Sequence, residues 1–267
     1  MLSVADAIAL VVADAAPLPG EMVPLGEAHR RVLAADIAAR LTQPPFPSSA
    51  MDGYAVRRAD LGALPATLKV IGESAAGHAF AGAVAPGEAV RIFTGAPVPP
   101  GADYVVIQEN VEASGSKARI CELNAENNIR VRGVDFTEGD VLLRAGKRLT
   151  ARDLMLAAQM NHAVLPVRRR PRVAVLASGD ELVPPGGAPA PSQIISSIPS
   201  ALAAMLRSAG ADPILLGIAR DTPESLAEHI AAARGADILV TIGGASVGDH
   251  DLARKALEDA GFVIGFH

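Results

Sequence analysis

Three continuous apolar runs constrain the fold of this chain more than any other feature: RVAVLA at 172–177, DPILLGIA at 212–219 and DILVTIGG at 237–244. Short runs with no polar alternation mark strands buried on both faces, the pattern of a parallel sheet covered by helices on its two sides. The segments between them have helical periodicity. Leu202, Met205, Leu206 and Ala209 form one stripe within residues 199–209, and Leu226, Ile230 and Ala233 form another within residues 223–234. The resulting β-α-β-α-β order predicts right-handed crossovers and a doubly wound parallel sheet.

The earlier part of the chain has a different texture. Val4, Ile8, Val11, Val12 and Ala15 share one face of a helix predicted over residues 3–16, where Ser3 and Asp6 resemble a capping box. Residues 27–40, EAHRRVLAADIAAR, mix helix formers with apolar positions and predict a second helical piece. From Gly53 onward short strand-like runs (YAVRRADL, TLKVIGES, EAVRIFTG, DYVVIQENVE, KARICELN, NIRVRGVDF) are separated by Gly, Pro and Asn, and helical periodicity returns at 151–160. A chain of 267 residues exceeds a typical domain of about 100–200 residues. The expected organisation is multidomain, α/β and β: a helical and linker domain from 1–45 with 141–168, an inserted β-rich domain at 46–140, and an α/β domain at 169–267. VRRRPR at 167–172 reads as a solvated linker.

Composition removes several classes of function. Lys plus Arg number 24 against 29 Asp plus Glu, a formal net charge of -5, so no basic field favours nucleic acid. The absence of Trp and an aromatic content of 3% remove the stacking platforms of single-strand binders. The single Cys121 excludes an internal disulfide and zinc-type spacing is missing, which points to a cytoplasmic protein. AIALVVADAA lacks a basic n-region, and no apolar run reaches the length of a bilayer span, so a membrane partner is not expected.

Ligands of an open parallel sheet sit beyond the carboxyl ends of its strands. There the chain places SGDELVPPGG with Asp180 and Glu181, RDTPE with Asp221, and GGASVGDHD with Asp249 and Asp251. Carboxylates gathered on one edge suit a hard divalent cation such as Mg2+, although helix capping is an equally simple role for Asp221 and Asp251. Gly243, Gly244, Ser246 and Gly248 form a glycine-rich turn able to approach a phosphate, without the spacing of dinucleotide or P-loop motifs. In the β-rich part, PPFPSSAMDGYAV at 44–56 leads through three prolines to Asp52 and Gly53, Thr94 and Gly95 follow a strand, and Asp135 lies in RGVDF. The prolines predict a stiff approach, and Gly53 a turn that aims Asp52 outward.

Taken together, PPFPSSAMDGYAV, IFTGAPVPPGADYVVIQE, NIRVRGVDF, SGDELVPPG and GGASVGDHD, in this order, resemble the molybdopterin molybdenumtransferases, the MoeA and gephyrin E-domain family. The resemblance spans residues 3–267. It implies a molybdopterin-binding α/β domain, an elongated homodimer with each cleft shared between subunits, and insertion of molybdate into adenylylated molybdopterin with hydrolysis and release of AMP. It implies Mg2+ as assisting cation and a molybdopterin adenylyltransferase as a possible partner. By motif, the catalytic residues are Asp52, Thr94, Asp135 and Glu181. Substrate-binding residues are Gly243, Gly244, Ser246, Gly248 and Asp221, and the metal ligands Glu181, Asp221 and Asp251.

Two departures accompany the resemblance. Ile198 stands where the family commonly has Asn, so neither a side-chain cap nor a polar ligand contact is expected there. The chain also ends at GFVIGFH, where the family continues into a strand, a lysine-bearing segment and a further β domain, so a fragment is expected, with a shortened homologue as the alternative. The alternative function is a non-catalytic pterin-binding or scaffold homologue; a related adenylyl-transfer enzyme is disfavoured by the inserted β module.

Overall fold

An apolar strand inside a sheet needs cover on both faces, and Arg172–Ser178 has it: every residue from Val173 to Ser178 is buried in the computed structural model, which describes residues 3–13, 15–243, 252–263 and 265. Asp212–Ala219 and Ile238–Ile242 pair on either side of this strand, both parallel to it, giving a three-stranded sheet with the first strand in the centre. Helices Ile198–Ala209 and Pro223–Ala232 pack on it, and Leu252–Asp259 packs on the second of these. Leu176, Ala219, Leu226, Ile230 and Ala256 form the core between sheet and helices. Burial along nearly the whole strand is confined to the central one; on the flanking strands only Ala219 is buried. Leu215 and Ile238, on the flanking strands, are each about half exposed, because each flanking strand has one paired edge among the described residues.

Helix starts follow local chemistry. Thr222 caps Pro223–Ala232 by accepting the Ser225 N–H, with Pro223 in the first turn, where its missing N–H costs nothing. Helix Ile198–Ala209 has no side-chain cap: Ser197 occupies the cap position without bonding, and the Ile198 side chain cannot supply a bond. Its other end closes on Gly210 in the left-handed region at φ +99°. The N-terminal helix Val4–Ala13 starts as predicted, with Asp6 N–H donating to Ser3 Oγ at 3.2 Å and the Ser3 hydroxyl donating back to the Asp6 carboxylate.

The chain divides into two units, Met1–Ala35 with Gly146–Thr150 and Leu165–His267, and Asp36–Ala145 with Ala151–Val164. In the first, the helix predicted over 27–40 is absent. A short 3-10 turn, Leu25–Glu27, precedes a stretch whose backbone groups are engaged at long range: Arg30 and Leu33 N–H donate to Leu149 and Lys147 carbonyls, and Ala34 N–H to Pro166. These pairings outcompete helix propensity. Arg30 itself sits at φ +63°, which no helix interior tolerates.

The second unit holds a six-stranded mixed sheet in the order Tyr104–Ile107, Gly53–Val56, Glu88–Ile92, Ala66–Ser74, Lys117–Ile120, Val111–Ser114. Only Ala66–Ser74 and Glu88–Ile92 run parallel. Tyr54, Val56, Leu61, Leu68 and Ile120 fill one core beneath it, while Ala55, Val84, Val90, Ile92 and Val105 fill another. Alternation along each strand feeds both. The predicted strand YAVRRADL ends early: Arg58–Leu61 is a 3-10 turn that buries Leu61.

Candidate functional site

In the β-rich unit Asp52 and Thr94 form a closed pair. The Thr94 N–H and the Thr94 hydroxyl both donate to Asp52 Oδ1, each at 2.8 Å. These two bonds, the N–H first and the hydroxyl next, hold the Asp52 carboxyl below the usual carboxylate range, with a smaller contribution from the positive charge of Arg91. The backbone fixes both partners. Ser49 N–H donates to Ala96 and Gly95 N–H returns to Ser49, tying the turn after strand Glu88–Ile92 to the segment before Asp52. Ser49 Oγ donates to Met51 O at 2.6 Å and accepts from Met51 N–H, so the step into Asp52 is set by a side chain as well.

Gly53 has a role other than the predicted one. It has no positive φ and makes no turn; it is the first residue of the strand Gly53–Val56, paired on both edges, to Ile92 and to Ile107. A Cβ at this position would overlap the Val106 carbonyl, so glycine is required by close approach of the neighbouring strand. Asp52 is therefore aimed by the fixed end of a central strand. The proline segment is stiffened by bonds too: Gly133 N–H donates to Pro44 O, Val98 N–H to Pro47 O and Arg132 Nε to Pro45 O at 3.1 Å. Asp135, whose N–H donates to Gln43 O, belongs to this same collar, and its exposed carboxylate has no partner among the described residues. Asp52, Thr94 and Asp135 thus lie on hydrogen-bonded neighbouring segments of one unit.

The α/β unit carries the rest. Asp180, Glu181 and Asp221 are exposed at the carboxyl ends of the strands Arg172–Ser178 and Asp212–Ala219, as the topology requires. Asp221 N–H reaches Asp180 Oδ1 at 3.4 Å, and the Glu181 carboxylate folds over Gly179. With Thr222 as the helix cap, Asp221 is left free of capping. No cationic side chain pairs with these three acids among the described residues. Gly243, at φ +98°, ends the third strand, and a Cβ there would lie 2.5 Å from Ser178 O; packing between strand ends thus explains this glycine before any ligand is considered. Gly244, Ser246, Gly248 and Asp251 lie outside the described residues, and among the described residues no group of three His, Cys, Asp or Glu could hold a metal ion.

Arg91 escaped notice in the sequence. Strand alternation places it on the Phe93 side, and register places it opposite Tyr54; its guanidinium lies 4.8 Å from the Phe93 ring centroid and 5.1 Å from that of Tyr54. The signal was the alternation within EAVRIFTG, legible only once its partner strand is known.

A parallel α/β unit with acids at its strand ends, in one chain with a β-rich unit bearing an Asp–Thr pair on a rigid strand end, makes this a multidomain α/β and β protein. The MoeA N-terminal region, domains I and II, matches residues 2–161, and a probable molybdopterin binding domain matches residues 174–266. The chain belongs to the MoeA family. It is similar to the molybdopterin molybdenumtransferase of a Nostoc species, 38% identical over 250 residues, covering 91% of this chain and 57% of the relative. The enzyme of the same name from Synechococcus elongatus is 35% identical over 278 residues, covering 100% of this chain and 69% of the relative. A solved structure of the molybdopterin biosynthesis MoeA protein from Pyrococcus horikoshii superposes with a TM-score of 0.83 at 33% identity, covering 97% of this chain and 67% of that one. The chain spans about three fifths of the length of the first curated relatives it matches.

Proposed function

We propose that this chain carries the molybdopterin- and molybdate-handling part of a molybdopterin molybdenumtransferase, acting in molybdenum cofactor biosynthesis. Adenylylated molybdopterin and molybdate are its substrates; the phosphoanhydride is hydrolysed, and molybdenum cofactor and AMP leave. The observation that carries this reading is the Asp52 carboxylate, kept ionised and aimed by two Thr94 donors at a strand end. Family membership and the five ordered motifs support it. In this reading Asp52, Thr94 and Asp135 orient the reacting groups, and Glu181 is a further catalytic carboxylate. Gly243, Gly244, Ser246 and Gly248 receive pterin phosphate on backbone donors, and Asp221 completes substrate binding.

Mg2+ is the proposed assisting cation, and Glu181, Asp221 and Asp251 would hold it. An all-carboxylate donor set suits a hard ion. No three ligands converge among the described residues, so ligand oxygens or Asp251 complete the set. When bound, the ion would lower the negative charge of the phosphoanhydride toward attacking water.

A homodimer with clefts shared between subunits belongs to the same reading. Helix Val4–Ala13 buries none of its residues and exposes Val4, Ile8, Val11 and Val12, which supports an apolar contact with a second subunit. A molybdopterin adenylyltransferase is the class of partner that supplies the substrate. The single free Cys121 accords with a cytoplasmic setting, and among the described residues no helix is long and apolar enough to cross a membrane. The division into 1–45 with 141–168, 46–140 and 169–267 is kept as a proposal; the separate matches to residues 2–161 and 174–266 support its boundary at 168/169.

Binding of adenylylated molybdopterin followed by molybdate-dependent AMP release tests the proposal. Asp52→Ala is expected to retain binding and lose release, whereas AMP release indifferent to molybdate would exclude metal insertion.

A further inference from the structure

The Asp52–Thr94 pair is held from behind by one side chain that the motif reading did not single out. Arg91 Nη1 donates to Gly53 O at 3.1 Å, and Arg91 Nη2 donates to Gln108 Oε1 at 2.7 Å. Gln108 in turn donates its backbone N–H to Asp52 O at 3.0 Å. The fork therefore grips the residue after Asp52 and the residue bonded to Asp52 at the same time. Tyr54 and Phe93 sit against the guanidinium, so its plane is fixed by two rings as well as by two acceptors. Phe93 immediately precedes Thr94, so one side chain braces both members of the pair.

We propose that Arg91 is the positioning residue of this site: its guanidinium locks the strand end that bears Asp52 to the turn that bears Thr94, so that the carboxylate meets both Thr94 donors. The proposal deepens the molybdenum-insertion reading and rests on it for its catalytic meaning, while the geometry is testable without any reaction. A lysine at this position keeps the charge but cannot grip Gly53 O and Gln108 Oε1 as a planar fork. Arg91 is the charged side chain whose field acts on Asp52, and Glu109 enters the neighbourhood only through a 3.4 Å contact from Gln108 Nε2.

The experiment is carbon- and nitrogen-detected NMR titration of the full chain, with Asp52→Asn identifying the Asp52 carboxyl resonance. In the wild-type chain Asp52 should titrate below an ordinary aspartate, and the Thr94 amide should report the same midpoint because its N–H donates to that carboxylate. Arg91→Gln is expected to move the Asp52 midpoint up and to uncouple the Thr94 amide from it; Arg91→Lys should uncouple the amide with a smaller rise. Unchanged Asp52 and Thr94 titrations in both variants would overturn the proposal. If Arg91→Gln gives no folded spectrum, Arg91→Lys and Gln108→Ala, which removes the second acceptor, decide it by the same Thr94 readout. In the AMP-release assay the Arg91 variants should lose roughly tenfold or more in turnover. A wild-type chain without molybdate-dependent release would defeat the functional reading alone, leaving the titrations to judge Arg91.

Discussion

Arg169 grips Asp237 with both arms, Nη1 to Oδ2 at 2.8 Å and Nη2 to Oδ1 at 2.7 Å, and the Arg172 N–H adds a third donor to Oδ2 at 2.7 Å. The arginine-rich run between the family's two matched regions is therefore a clasp and not a solvated linker. Arg169 N–H also donates to Pro19 O and Arg168 Nη1 to Leu18 O. The Arg169 fork, followed by the Arg172 N–H, holds the Asp237 carboxyl far below the usual carboxylate range. A depressed folded-state value means that the stabilisation is fully present above the unfolded carboxyl's value of 3.8 and is lost as pH falls below it toward the folded-state value. Asp237→Asn should lower the thermal midpoint at neutral pH by a few degrees. The difference from wild type should shrink as the pH is taken below about 4. Calorimetry across that range checks both.

Gly53→Ala is expected to be the most damaging single methyl addition in the β-rich unit. The new Cβ would meet the Val106 carbonyl, a backbone atom held in the ladder on the same strand pair, so no rotamer change can relieve it. A loss of about 3 kcal/mol or more is expected by denaturant unfolding. Retention of wild-type stability would show that the two strands can part without cost.

Leu176→Ala probes the α/β core. Leu176 is 1% exposed on the central strand and packs with Leu226 and Ile230 of the helix above it. Removing its side chain leaves a cavity and should cost about 2–5 kcal/mol, measured by urea unfolding. The same substitution at Leu215, half exposed on a flanking strand, should cost much less.

The α/β unit is legible because its apolar runs and helix stripes are local patterns: the second strand has the ends its apolar run predicts, and Leu226 and Ile230 of the predicted stripe are buried in Pro223–Ala232, although its cap is Thr222 and not Asp221. Residues 27–40 were misread for the opposite reason. Their conformation is decided by carbonyls of Lys147, Leu149 and Pro166, more than a hundred residues away, which no window of the sequence contains. The candidate site divides in the same manner. Asp52 and Thr94 were found through their motifs, and the structure joins them. The reason for Gly53 and the presence of Arg91 depend on which strands lie beside Gly53–Val56, and register is a property of the sheet rather than of a segment.

Thr94→Val offers the sharpest test of how Asp52 is kept ready. Valine matches threonine in shape and deletes only the hydroxyl, leaving the Thr94 backbone N–H, the larger of the two donors, in place. Both donors favour the ionised carboxylate, so losing one should raise the Asp52 midpoint without restoring it to that of a free aspartate. If the ionised form is the active one, activity fails on the acid side as Asp52 takes up a proton, and the acid limb of the rate profile should move to higher pH in Thr94→Val. At neutral pH the carboxylate stays ionised in both proteins, so any loss there, expected on the order of tenfold, reports misalignment and not protonation. An acid limb that does not move, together with full activity at neutral pH, would mean that the hydroxyl bond is incidental and that the backbone donor alone sets Asp52.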